Sequence, residues 1–249
     1  AMLGLAVQWG VKRGVYSNEA GQGSGPHPAA AAEVSHPAKQ GYVQAFSVYI
    51  DTLLVCSATA FMLLSTGMYN VQGPDGTMLV SERPGRIRVY ASGAPGAALV
   101  STETIPNVRA EHESGANGLA VDVGFPTNPF VYVCASRTVG QAWLNQVIRY
   151  RVTAGWTLQH SRYMIRTGMK ASTIHNGCAV EMDRFGRLWV SMGDANQASL
   201  AQDRSSLNGK ILRMNRDGGT PGDNPVIGGI RNIVYSMGHR NVQGIAFRP

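Results

Sequence analysis

The sequence predicts a composite fold class: about two membrane-type α-helices, one of them broken by Gly and Pro, followed by an all-β domain. Three observations carry this. Residues 42–69 form an apolar run whose only charge is Asp51. Upstream, Gly14, Gly21, Gly23, Gly25, Pro26 and Pro28 interrupt any regular helix. From Thr77 onward the helical period vanishes, and short β-rich runs alternate with turns.

Charge follows the same division. Residues 1–72 hold Lys12, Arg13 and Lys39 against Glu19, Glu33 and Asp51, so the net charge of +7 belongs to the rest of the chain. The bases there are scattered, mostly Arg, with no Lys/Arg run, and no clustered stripe for nucleic acid is present. Three cysteines make no disulfide framework. Cys56 sits in the apolar run, and Cys134 and Cys178 are free to pair.

The first predicted element is the broken segment at residues 10–41. Discontinuous helices of this kind expose backbone groups to substrate and ions in transporters; a plain Gly-rich loop has the same composition. The second is a helix over 42–69. As a helix, its twenty-eight residues reach about 42 Å, enough to cross a hydrocarbon core of about 30 Å. An acid inside such a span, here Asp51, faces a bundle interior or cavity. Lys39 precedes the span and no base follows until Arg83, so the positive-inside bias places the β domain outside.

The β-rich part predicts strands at 77–81, 86–91, 117–125, 130–136, 147–152, 187–193, 210–215, 233–238 and 244–247. Pro84-Gly85, Arg184-Phe185-Gly186 and Asp217-Gly218-Gly219 supply turns. Many short strands fit a sandwich, barrel or propeller. An Asp-then-Gly turn before an alternating strand occurs at Asp75-Gly76 and again at Asp183–Gly186, and this recurrence favours propeller blades.

Three constellations at predicted strand ends could carry chemistry. They are Ile174-His175-Asn176-Gly177, Met192-Gly193-Asp194 and Gly238-His239-Arg240-Asn241. A neutral His suits a general base. A carboxylate on its other nitrogen fixes the tautomer, and an Arg fork stabilises developing negative charge. Each also has a bland reading, as a structural His, a turn Asp or a loop pin.

Two family resemblances follow from the motifs. RGVYSNEAGQGSGPHPAAAAEVSHPAKQG (13–41) with DTLLVCSATAF (51–61) resembles the sodium:alanine (alanine or glycine:cation) symporters over residues 1–72. Tyr16, Gln22 and Gly25 depart from that pattern, which has Phe, Met and Ala. The resemblance implies a membrane segment, with Tyr16, Ser17, Asn18, Glu19, Ala20, Gly21 and Asp51 near an amino-acid and Na⁺ path. Two helices are too few to line such a site alone.

MLVSERPGRIRVY (78–90), IHNG (174–177), FGRLWVSMGD (185–194), AQDRSSLNGKILRMNRDGGTPGDNPV (201–226) and SMGHRNVQGIAF (236–247) together resemble the soluble glucose/sorbosone dehydrogenases. That resemblance covers residues 74–249. It implies a six-bladed β-propeller that oxidises a sugar C1 hydroxyl, with pyrroloquinoline quinone (PQQ) taking the hydride and Ca²⁺ polarising the quinone. His175 matches the general base, Asp194 the acid that orients it, and Arg240 and Asn241 the cofactor contacts. Cys178-Ala179-Val180 stands where that family has Gly-Gly-Arg. Glu111–Asn117 lacks its Gly-Leu-Leu-Gly pattern, so the early glutamine-type ligand is not placed.

The organisation expected is therefore a symporter-like fragment (1–72), a seam (73–76) and a partial propeller (77–249). Ca²⁺ ligands and several PQQ-binding bases are expected beyond Pro249, and open blade edges invite aggregation. The expected function is PQQ-dependent aldose oxidation, incomplete or absent if the propeller is truncated. The alternatives are a fragment of a Na⁺-coupled symporter and a chimeric chain without activity. The expected location is the inner membrane for 1–72, with the β domain on the periplasmic side.

Overall fold

In this computed structural model, described residues are 71–247 together with His36, Ala38, Lys39, Tyr42, Val43 and Phe46 upstream. The chain divides into two units, Ala1–Tyr69 and Asn70–Pro249. In the first, Ala38, Lys39, Tyr42, Val43 and Phe46 have helical backbone and are exposed. The rest of the expected 42–69 span, and Tyr16, Ser17, Asn18, Glu19, Gly21 and Asp51, lie outside the described residues. No helix among the described residues is long and apolar enough to cross a membrane.

The second unit is built from three four-stranded antiparallel sheets. The first joins β1 (Val71–Gln72), β2 (Met78–Glu82), β3 (Arg86–Tyr90) and β4 (Leu99–Thr104) in that order. The second joins β5 (Ala116–Val121), β6 (Phe130–Val139), β7 (Ala142–Thr153) and β8 (Thr157–Ile165) in the same way. The third joins β9 (Gly177–Met182), β10 (Leu188–Met192), β11 (Lys210–Met214) and β14 (Val234–Met237). A small hairpin, β12 (Val226–Ile227) and β13 (Ile230–Arg231), is inserted before β14. Each sheet is an up-and-down meander, the form of a propeller blade.

The blades stack through alternation along β6. Val131, Val133 and Ala135 face the first blade, packing with Leu79, Ile87 and Val89. Tyr132 and Cys134 face the third, packing with Val180, Leu188 and Val190. With both faces buried, the strand reads as a continuous apolar run. The outer strands are different: β4 alternates between exposed and half-buried residues, and most of β8 is exposed.

Two further links hold the second blade to the third. Cys134 on β6 and Cys178 on β9 form a buried disulfide with Cα atoms 5.4 Å apart. Arg216 reaches the buried carboxylate of Asp122 at 2.9 Å. That carboxylate also accepts from the Tyr132 hydroxyl at 3.1 Å. Burial, together with the Asp122 charge, pushes the Tyr132 hydroxyl well above its ordinary pKa.

The first hairpin of every blade repeats one device. Asp75 accepts from the Thr77 N–H and from Trp156 Nε1 at 3.0 and 2.8 Å. Asp122 accepts from the Gly124 N–H at 2.8 Å as well as from Tyr132. Asp183 accepts from the N–H groups of Phe185 and Arg187 and from Trp189 Nε1, at 3.0, 2.9 and 2.9 Å. One oxygen closes the turn, as short polar side chains do, and the other holds an aromatic donor. The sequence shows the first and third copies; the structure adds the second.

Against the strand expectations, β4, β8 and β9 are additional, as are the two-residue strands β1, β12 and β13. The expected strand at 244–247 is absent: those residues have no ladder partner. The segment is held instead by side chains, with Ser191 Oγ donating to the Val242 carbonyl at 2.6 Å and Trp189 meeting Phe247 edge-on at 5.4 Å.

Candidate active site

Antiparallel order places the start of β9, the end of β10, the start of β11 and the end of β14 along one edge of the third blade. His175 lies two residues before β9, Asp194 two after β10, and Arg240 and Asn241 just past β14. The meander therefore gathers on one edge residues that are up to 66 positions apart in the chain.

His175 Nδ1 and Asp194 Oδ1 are 2.9 Å apart, with side chains 13% and 5% exposed. An ionised carboxylate only accepts, so Nδ1 carries a proton, and in the neutral imidazole Nε2 keeps its lone pair. Asp194 is itself fixed. Its Oδ1 also accepts from the Asn196 N–H at 2.9 Å, and its own N–H donates to the Arg240 carbonyl at 2.8 Å.

The backbone here is unusual. His175, Cys178, Ala195 and Asn196 all have φ between +53° and +70°, four of the seven described non-glycine residues in the left-handed region. Such conformations cost about 1–3 kcal/mol each and persist only where surrounding contacts impose them. The Ala195 N–H donates to the His175 carbonyl at 3.1 Å, which ties the two segments together. Gly193 is required for this approach, because a Cβ there would collide with the His175 carbonyl.

Asn241 and Glu113 complete the frame. Asn241 Oδ1 accepts from the Gly177 N–H at 2.9 Å, and its Nδ2 donates to Glu113 Oε2 at 3.1 Å. Glu113 Oε2 also accepts from the His175 N–H at 2.8 Å. Arg240 contributes differently from its expected role beside His175 and Asp194. It meets Asp194 through its carbonyl, and its exposed guanidinium makes no hydrogen bond or ion pair among the described residues. Sequence reading missed Glu113. It lies in the 111–117 stretch, which stood out only as a departure from a pattern.

A cationic fork with no partner among the described residues and the second amide N–H of Asn241 fit an anionic quinone such as PQQ. Calcium is different: among the described residues no group of three or more His, Cys, Asp or Glu could hold a metal ion. No residue here is therefore assigned to it.

Comparison with known proteins follows the two units. Residues 68–249 match the family model of glucose/sorbosone dehydrogenase, and residues 1–85 match that of the sodium:alanine symporter family. The chain is similar to an oxidoreductase of Thermus thermophilus described as a glucose dehydrogenase. The TM-score is 0.64 at 37% identity, covering 72% of this chain and 54% of that one. It is also similar to the PQQ-bound aldose sugar dehydrogenase of Streptomyces coelicolor, with a TM-score of 0.59 at 29% identity, covering 69% and 50%. Over 84 residues it is 74% identical to a sodium/proton-dependent alanine carrier of Bacillus subtilis, covering 34% of this chain and 17% of the carrier. The chain thus spans about half the length of the dehydrogenase structures and a small part of the carrier.

Proposed function

The chain belongs to the glucose/sorbosone dehydrogenase family over residues 68–249, and from that premise we propose that this region oxidises the C1 hydroxyl of an aldose to the lactone. The observation that carries the reading is the His175–Asp194 pair at 2.9 Å. Bound PQQ would supply the hydride acceptor. His175 Nε2 takes the hydroxyl proton as the C–H bond breaks, and Asp194 stabilises the imidazolium so formed. Arg240 and Asn241 would hold the anionic quinone. The Asp194 hydrogen bond to Nδ1 holds the ring before substrate arrives, so orientation is not lost at the moment of reaction.

The test is dye-linked oxidation of a panel of aldoses after reconstitution with PQQ and Ca²⁺. Turnover by the wild type, abolished by His175→Ala, is the expected result. No turnover under reconstitution, or an active His175→Ala variant, overturns the proposal. The first of these leaves the chain as a composite without activity of its own.

A second reading applies to residues 1–85 and rests on their match to the symporter family. We infer that this part is symporter-derived and inner-membrane in character, with Na⁺ as the coupling ion of its ancestors and the β domain on the periplasmic side. Na⁺-dependent alanine uptake into proteoliposomes would support transport by the chain itself; its absence leaves ancestry alone.

A further inference from the structure

We propose that Glu113 is a positioning residue for His175, acting through the His175 main-chain N–H and through Asn241. The inference rests on the reading of His175 as the base. Glu113 lies in the connection from β4 to β5, far in sequence from the residues it holds. One oxygen, Oε2, accepts from the His175 N–H at 2.8 Å and from Asn241 Nδ2 at 3.1 Å. Asn241 then takes the Gly177 N–H at 2.9 Å. One carboxylate and one amide thus satisfy two main-chain donors on either side of Asn176.

Those donors need such partners. His175 and Gly177 have φ of +59° and +62°, and the β9–β10 ladder shifts register at this point of the chain. An unpaired, part-buried N–H would favour rearrangement of the loop. Glu113 is held in turn, its N–H donating to the Thr173 carbonyl at 2.9 Å and its carbonyl accepting from Asn117 Nδ2 at 2.7 Å. Its other oxygen, Oε1, makes no hydrogen bond among the described residues. The connection between the first and second blades therefore sets the position of the base on the third, through a group that does not touch the imidazole.

Three variants of the full chain separate position from charge. Glu113→Gln keeps the reach of the acceptor without its charge. Glu113→Asp keeps the charge and loses the reach, and Glu113→Ala loses both. The first readout is the His175 ring resonances and their titration, followed by NMR on the protein without cofactor. The second is kcat and KM after reconstitution. Positioning predicts that Gln resembles wild type. It also predicts that Asp and Ala shift the His175 resonances and lower kcat by about ten- to a hundredfold, with KM changing less. If Asp resembles wild type and Gln resembles Ala, charge rather than position is the function, and the proposal is overturned. Unmoved His175 resonances in Asp overturn it as well. Should Ala fail to fold, the Gln and Asp pair still decides. Should the wild type turn over no sugar, the enzymatic reading fails while the resonances still test the positioning.

Discussion

Removal of the Cys134–Cys178 disulfide should destabilise the β unit strongly. The bond closes a loop of 44 residues in sequence separation. In the chain-entropy account, that loop restricts the unfolded state by about 4 kcal/mol at 25 °C. A domain of this size shifts its Tm by about 2–4 °C per kcal/mol, so a Cys134→Ala/Cys178→Ala double variant should melt about 8–16 °C lower. Loss of buried sulfur packing adds to the deficit, since both residues are fully buried. The assay is a thermal melt of oxidised wild type, reduced wild type and the double variant, paired with thiol titration in denaturant. The chain has three cysteines, so the oxidised protein should show one titratable thiol and the reduced protein three. Three thiols without reductant, or a double variant melting within about 2 °C of wild type, would refute the reasoning.

Other outcomes follow from single contacts. Asp194→Asn should lower the rate of sugar oxidation by about 10²–10⁴-fold while leaving the melt nearly unchanged, because an amide can present the wrong group to Nδ1; steady-state kinetics check this. Asp183→Ala strands two main-chain N–H groups and the indole N–H of Trp189. A cost of about 2–3 kcal/mol in urea unfolding and a changed Trp emission are expected. Gly193→Ala should displace the His175 carbonyl and depress kcat more than it depresses stability, as read by kinetics beside a melt. Burial pushes the Glu181 carboxyl above its ordinary value. The unfolded chain therefore releases that proton first, and this group's contribution to stability falls as pH rises from the ordinary Glu range upward. Glu181→Gln should raise the urea midpoint at pH 7 and leave it little changed at pH 4.

The sequence made some of this architecture readable and hid the rest for physical reasons. Residues 130–136 announced a strand because β6 buries both faces. Strands β4 and β8 were silent because they lie at the blade rims, where Thr, Ser, Gln, His and Arg replace the apolar alternation. Strand β9 was hidden by its Gly start and by the half-buried Glu181. In the site, the spacing around His175 and Asp194 was legible as motifs, and the two side chains do meet. Arg240 reaches the pair through its main chain, which a side-chain reading does not foresee. Glu113 works on a backbone N–H, and such a partnership leaves no trace in residue type. The second Asp turn was missed because Asp122-Val123-Gly124 leads into a loop that reaches Phe130 before β6 begins, so no alternating strand follows it directly.

The meander order has a consequence for the chain while it is still being made. The first two blades are each assembled from strands adjacent in sequence, so each ladder can close soon after its last strand leaves the ribosome. At about 5–20 residues per second, the second blade follows the first by several seconds. During that interval Leu79, Ile87 and Val89 lack the β6 side chains that cover them. The cystine falls due later still, when residue 178 emerges and meets a partner made 44 positions earlier. Its formation would mark, in a growing chain, the moment at which the second blade is locked to the first strand of the third.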